Sequence, residues 1–275
     1  MSDIALLYRD ACMAELSAVK PGNVHMFADG HGMVVQDFIK SADASSQVIT
    51  KPDLRVGERI LSAVKATWDA VGCNTNLGIV LLAAPMVQAA FSKDGFSQNS
   101  LQNVLNDLTQ DDAVKAYEAI SIARPAGLGE VQKHDVSQTP QITLLEAMQA
   151  AADRDLIAQQ YANGYQEIFN LGVTTYWHYL AKWERPAWAV SATYLAFLAE
   201  FEDSHIFRKY GKEIAQTIQQ EAKNYCQIFT SQDNPKLYQA TLLAWDADLK
   251  KRGINPGTSA DLTVATILVN NLLVG

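Results

Sequence analysis

The chain has 275 residues, 48% of them hydrophobic, with a formal net charge of −8 and a pI near 5.1. That is ample apolar material for a sizeable core, and the acidic balance excludes a general nucleic-acid-binding role, which needs a basic surface. The three cysteines, Cys12, Cys73 and Cys226, are scattered and lack CxxC spacing, which excludes a disulfide framework or a cysteine zinc site and points to a reducing compartment.

Residues 1–16 hold acidic side chains and no long apolar region, so no signal peptide is expected. Residues 3–19 predict a helix, with Ile4, Leu7, Ala11, Ala14 and Ala18 on one stripe. Lys20-Pro21-Gly22-Asn23 stops it. Pro followed by Gly suits a type II turn, because Pro presets the first central residue and Gly supplies the positive φ of the second. A polar, glycine-rich loop carrying Asn23, His25, Asp29 and His31 runs to Gly32. Helices are predicted at 33–49 and 55–71, either side of a Lys51-Pro52-Asp53 break.

Residues 71–91, VGCNTNLGIVLLAAPMVQAAF, hold the longest apolar run. Its apolar residues are not confined to one face, which places the helix inside a bundle. Asn74, Thr75 and Asn76 supply cap-type side chains at its start, and a helix N-terminus suits an anion. Residues 77–91 are too short to span a bilayer and contain Pro85, expected to kink the helix without ending it; no membrane partner is expected. Residues 98–123 predict one or two helices, with a break near Thr109-Gln110-Asp111. The longest irregular stretch is 124–140, carrying Arg124, Gly127, Gly129 and Glu130. Helical patterns resume at 142–150, 153–169, 170–182, 187–200, 205–229 (with Gly211 inside) and 236–251. After Gly253-Ile254-Asn255-Pro256-Gly257 a last helix starts near 259, with Thr258 or Ser259 as cap and Asp261 in the first turn. The pattern reads as all-α: a single soluble, cytoplasmic multi-helix domain over 1–275, built around the buried helix of about 74–91.

The polar residues cluster at loops and helix starts: Lys20 to Asp37, Asn74 to Asn76, Arg124 with the glycines beyond it, Glu202 to Gly211, and Asn255 to Asp261. Each has a structural reading as a cap, a helix stop or a solvated face. Tyr161, Tyr165 and Phe169, at helical spacing, suit a core better than a base-stacking platform. There is no HExxH, GxxxxGK[ST], GxSxG or GxGxxG. The coincidence of the clusters favours function. Carboxylates near turns suit magnesium–phosphate chemistry, and Lys20, Arg124, Arg208 and Lys209 could neutralise phosphate oxygens.

The order KPGNV (20–24), GHGM (30–33) with Asp37-Phe38 and Ser41-Ala42, NTNLG (74–78), EDSHI (202–206) with RKYG (208–211), and PGTSADL (256–262) resembles the triphosphoribosyl-dephospho-CoA synthase family from about residue 11 onward. The resemblance implies an all-helical transferase. It would join the triphosphoribosyl group of ATP to the 2′-hydroxyl of 3′-dephospho-CoA and release adenine, with Mg²⁺ assisting. On the matching motifs, Lys20, Asn23, Asn74, Thr75, Asn76, Arg208, Lys209 and Ser259 become candidate ATP or phosphate contacts. Asp37, Asp203 and Asp261 become candidate catalytic or magnesium carboxylates. Asp203 and Asp261 are expected at solvent-accessible helix starts, so that their alanine variants lose turnover and keep the fold. Many family members read GAH-x-DM, DDTN with RGG, and PGG-SADL where this chain has Gly30-His31-Gly32-Met33, Glu202-Asp203-Ser204-His205 with Arg208-Lys209-Tyr210-Gly211, and Pro256-Gly257-Thr258. These departures resemble a branch similar to members in methanogens and methylotrophs. They leave open a nucleotide glycosyl transferase or hydrolase with another acceptor, in one-carbon or pterin-cofactor synthesis. A non-catalytic helical nucleotide-binding protein is the second alternative.

Overall fold

The computed structural model describes residues 3–125 and 138–275. Helices dominate, and among the described residues the only strand-like pairings are the isolated bridges His25–Ala28 and Gly30–Met33. The chain divides into two compact units: unit 1 comprises Met1–Asp10, Asp37–Gln166 and Leu268–Gly275, and unit 2 comprises Ala11–Gln36 and Glu167–Ile267. Helices α1 (Ile4–Ser17), α2 (Val35–Ile49) and, at the other end of the chain, α14 (Gly257–Val274) contribute residues to both.

Unit 1 further contains α3 (Val56–Val71), α4 (Leu77–Ala90), α5 (Gln98–Asn106), α6 (Gln110–Ala123), α7 (Leu144–Ala151) and α8 (Leu156–Asn163). The predicted break within 98–123 is real. Thr109 is the N-cap of α6, and its side chain accepts from the Asp112 N–H. Asp112, itself buried, accepts from the Thr109 N–H and hydroxyl on one oxygen and from the Gly57 N–H of α3 on the other (2.8 Å). One carboxylate thus serves two helix starts.

The apolar helix α4 is the core of unit 1: every residue but Gln88 and Ala90 is buried. It runs through Pro85. Proline has no N–H, so the Leu81 carbonyl four residues earlier loses its intrahelical donor. A buried orphan carbonyl costs about 1–3 kcal/mol. The Tyr161 hydroxyl of α8 donates to it at 2.5 Å, and the Tyr165 hydroxyl donates to the next carbonyl, Leu82, at 3.0 Å. Both phenols are almost wholly buried. Burial raises both phenol pKa values, so both remain protonated donors. The two tyrosines are core residues that repair the helix at its proline.

Unit 2 further contains a π-helical turn (Ile168–Val173), α9 (Thr174–Trp183), α10 (Pro186–Glu200), α11 (Ser204–Tyr210), α12 (Lys212–Ser231), a 3-10 turn (Pro235–Tyr238) and α13 (Gln239–Lys251). Its core gathers Trp183, Tyr194, Leu198, Phe229, Leu242 and Trp245. The single helix predicted over 205–229 is two helices. Gly211, at φ 85° and ψ 173°, leaves the helical region and divides α11 from α12. The last helix begins at Gly257, two residues earlier than predicted. Asp261 is therefore past its first turn, and Thr258 and Ser259 lie inside the helix rather than ahead of it. By length and composition α14 could cross a membrane, but 61% of it is buried in the protein, as in a core helix.

Removing the repair donor tests the Pro85 account. Tyr161→Phe is expected to lower the unfolding free energy by about 1–3 kcal/mol in urea titration. A change within about 0.5 kcal/mol, the usual size for sites without such features, would show that Leu81 finds another donor.

Candidate active site

The sequence-predicted residues fall into two groups, one in each unit. In unit 2 the organising element is the Lys20–Asn23 turn. It is the type II turn expected: Gly22 has φ 85°, and the Asn23 N–H donates to the Lys20 carbonyl at 3.0 Å. A Cβ on Gly22 would also lie 2.8 Å from Pro256 Cδ, so both backbone angle and space require glycine. Each peptide of the turn is bonded. The Pro21 carbonyl accepts from the buried Tyr194 hydroxyl (2.7 Å), the Gly22 N–H donates to Asp246 Oδ1 (2.8 Å), and the Gly22 carbonyl faces His31 Nε2 (2.7 Å).

Lys20 is fully buried. Its ammonium donates to Glu15 of α1, to Asn23 Oδ1 (2.9 Å) and to the Val24 carbonyl (2.8 Å), which uses all three of its N–H groups inside the protein. Burial pulls Lys20 down and Glu15 up, while each partner's charge acts against that shift. Asp261 and Lys250 also act on Lys20 electrostatically, in opposite senses. Asn23 completes the turn by donating to Asn255 Oδ1 at 2.8 Å. The predicted contacts Lys20 and Asn23 are therefore internal braces here.

Asp203 departs from the expectation of a solvent-accessible helix start: it is 1% exposed. Its Oδ1 accepts from the N–H groups of His205 (2.9 Å) and Ile206 (3.2 Å), which caps α11. Its Oδ2 accepts from the Ser259 N–H (2.7 Å) and hydroxyl (2.8 Å), so the predicted phosphate contact Ser259 is held by Asp203. The His205 N–H also reaches Thr258 Oγ1 at 3.2 Å. Asp203 thus ties the start of α11 to that of α14. It has four donors on two oxygens and little capacity left for a metal. Asp261 is half-buried.

Around α11 lies a basic group within an acidic chain. Arg208 is half-buried, and Lys209 is exposed with its ammonium 5.0 Å from the Tyr210 ring centroid. Arg208, Lys209 and His31 all depress the pKa of His205, after burial as the main cause and against Asp203. The His205 ring lies against Gly257, where a Cβ would be 3.3 Å from Nδ1.

The sequence reading missed Asp246 and Lys250 on α13. Asp246 is buried. It accepts from Gly22 on one oxygen and from Lys250 (3.0 Å) on the other, and that second oxygen lies 3.4 Å from His25 Nε2. Lys250 also donates to the Ala28 carbonyl at 3.1 Å. Despite burial, its hydrogen bonds and the charges of His25 and Lys250 leave the Asp246 carboxyl below the usual range. In sequence the pair is an ordinary i,i+4 couple of a surface-type helix. The only signal was that spacing.

In unit 1 the structure links Asp37, Asn74, Thr75 and Asn76. The Ser41 hydroxyl donates to the Asp37 carbonyl at 2.6 Å and accepts from Thr75 Oγ1 at 2.6 Å. The formal N-cap of α4 is Asn76, but its side chain makes no cap bond and donates to Ser45 Oγ at 3.3 Å. Asn74 caps instead, accepting from the Leu77 N–H at 3.1 Å. The Asp37 charge adds to burial in raising the Cys73 thiol. Arg124 ends α6 in the left-handed region and lines a shallow depression of about 430 Å³ with Lys65, Trp68, Asp69 and Ile122. Gly127, Gly129 and Glu130, predicted beside it, lie outside the described residues.

A protein-family model described as ATP:dephospho-CoA triphosphoribosyl transferase matches residues 1–275. The chain belongs to the ATP:dephospho-CoA triphosphoribosyl transferase family. Its activity class is that of a transferase acting on ATP and dephospho-CoA. The crystal structure of a candidate triphosphoribosyl-dephospho-CoA synthase from Archaeoglobus fulgidus matches with a TM-score of 0.64 at 23% identity. The match covers 84% of this chain and 97% of that one, and at that identity it establishes the shared all-α fold. No curated protein sequence matches the chain.

The geometry separates bracing from chemistry, and stability measurements read the difference. Asp203→Ala is expected to cost about 2–4 kcal/mol, from one lost cap and the buried Ser259 donors left unpaired. Asp203→Asn, which keeps a capping oxygen, is expected to cost less. Equal stability of wild type and Asp203→Ala in urea would remove the double-cap assignment. A second expectation concerns pH. Burial holds the His25 pKa below 6.5, with Lys250 and Lys20 acting in the same sense and Asp246 against them. The unfolded chain therefore binds this proton more readily, so stability is full above pH 6.5 and falls as pH drops towards the folded-state pKa. The decline of Tm below pH 6.5 is expected to be shallower in His25→Asn, and an unchanged slope would contradict it.

Proposed function

We propose that this transferase moves C1′ of the ATP ribose from adenine N9 to the 2′-hydroxyl of 3′-dephospho-CoA, with the triphosphate bound by the basic group of unit 2. The full-length family match carries the reaction. The supporting geometry for the phosphate site is the concentration of Arg208, Lys209 and Lys250 around His31 and His205 in a chain of net charge −8, the pKa values of the two rings being held below 6.5 so that they are not counted among the cations. Cations gathered on a preformed scaffold stabilise phosphate charge without reorganising during the reaction. Lys20, Asn23 and Ser259 are assigned supporting roles here: they hold the turn and the α14 start to which Asp246 of α13 and Asp203 ahead of α11 are bonded. Asp261, half-buried and coupled to Lys20, is the unit 2 carboxylate we assign to the oxocarbenium-like centre.

For the unit 1 group the resemblance supports ribose or phosphate contacts by Asn74, Thr75 and Asn76 and a carboxylate role for Asp37. The apolar α4 behind them is a rigid support for such contacts.

A resident magnesium site does not fit the described residues. No cluster of three or more His, Cys, Asp or Glu among them could hold a metal ion, and Asp203 is saturated by hydrogen-bond donors. We therefore place Mg²⁺ with the substrate as MgATP, where phosphate oxygens and water supply most ligands. The free cysteines and the nucleotide substrates are consistent with a cytoplasmic location, and we read 1–275, all within one family match, as a single functional domain.

Incubation with MgATP and 3′-dephospho-CoA is expected to release free adenine, resolved by chromatography, in equal amount to a product heavier than dephospho-CoA by a triphosphoribosyl group. Adenine release indifferent to dephospho-CoA would point to a different acceptor such as water. No release under either condition would sink the reading.

A further inference from the structure

We propose that His31 is the general base of the transfer, accepting the proton of the acceptor hydroxyl on its Nδ1 atom. This rests on the transferase reading above and adds a catalytic residue to it. The observation that carries it is how the backbone holds the ring. Gly30 and Met33 close a two-residue turn by exchanging both backbone hydrogen bonds (3.2 and 3.0 Å). The two residues between them, His31 (φ 58°) and Gly32 (φ 76°), are both in the left-handed region, as a type I′ turn requires. For a residue with a Cβ that conformation is disfavoured, and it persists where the surroundings impose it.

What the strained turn achieves is visible at the ring. His31 Nε2 lies 2.7 Å from the Gly22 carbonyl. A carbonyl only accepts, so Nε2 carries the hydrogen and donates. In the neutral ring the lone pair is then on Nδ1. Among the described residues Nδ1 has no hydrogen-bond partner, and the side chain is only half-buried, so a ligand can reach it. The Gly22 peptide that fixes the tautomer is itself clamped on its other side by buried Asp246.

The alternatives in unit 2 are less suited to receive a proton. Asp203 and Asp246 are buried and saturated by donors, and Asp29 accepts from the Val35 N–H. Among the described residues, four charged or titratable groups act on His31: Lys209 and His205 from α11, and Lys250 and Asp246 from α13. Burial first, then Lys209 and Lys250, hold its pKa below 6.5, against the Gly22 bond and Asp246. At neutral pH the ring is thus in its basic form. The cations that do this are those assigned to the triphosphate, which sets the base beside the ATP.

The step balances. The hydroxyl proton passes to Nδ1 as the hydroxyl oxygen bonds to C1′. The C1′–N9 bond breaks with its electron pair on adenine, which takes up one proton. The imidazolium, still bonded to Gly22, returns its proton to solvent or to the leaving adenine. No other co-reactant is needed.

The test compares wild type with His31→Asn, since Asn also tolerates the left-handed region, and with His31→Gly, which fits the turn without strain. The rate of adenine release with MgATP and dephospho-CoA is measured across pH 5–9, and ATP affinity by calorimetry. Expected are a loss in kcat of about 100-fold or more in both variants, unchanged ATP affinity, disappearance of the wild-type acid limb that lies below pH 6.5, and partial rescue of His31→Gly by added imidazole. Near-wild-type kcat in either variant, a retained acid limb, or a kcat loss that follows lost ATP binding would overturn the assignment while leaving the transferase reading intact. Wild-type protein that releases no adenine would end both.

Discussion

A buried tight turn must find a partner for every backbone donor and acceptor it removes from water, and the Lys20–Asn23 turn does so with partners distant in sequence. Tyr194, Asp246, His31 and Asn255 each take one of its polar groups, and Glu15 balances the lysine charge it encloses. The partners come from α1, from the loop after the turn, from α10, from α13 and from the segment before α14. Unit 2 is organised by this requirement as much as by its aromatic core. A satisfied buried network of this kind specifies one arrangement, because each member that moves leaves another unpaired.

The same principle recurs wherever the chain breaks a local rule. Pro85 interrupts the hydrogen-bond ladder of a buried helix, and two tyrosine hydroxyls donate to the carbonyls there. Asp112 and Asp203 each satisfy two helix starts. Such carboxylates look catalytic in sequence, since acidic residues near turns are what phosphate chemistry needs. Their geometry is that of braces. The chemistry we propose falls instead to groups left exposed or half-exposed on this frame: the basic residues of α11, Asp261, and a histidine held in a left-handed turn.

Much of the fold was legible. The all-round apolar run of α4 could only be a buried helix, and it is. The Pro-Gly pair specified a type II turn because φ is set locally, and Gly22 has the required angle. Helix existence was read well since amphipathic periodicity is local. Ends were read less well: Gly211 broke a helix that the pattern carried through, and α14 began at Gly257, where a carboxylate from before α11 supplies the cap.

The sequence by itself determined the all-α class, the positions of most helices and turns, and the motif set that marks the family. These depend on residues near one another in the chain. Only the tertiary structure decided which polar residues brace and which remain open. Asp203 and Lys20 read as ligand contacts until their burial and donor counts were known, and Asp246 and Lys250 drew no reading at all until they were found bonded to the Lys20–Asn23 turn and the loop after it. The physical reason is that hydrogen-bond satisfaction and desolvation belong to a group's surroundings in space. A one-dimensional pattern names the donors and acceptors without pairing them.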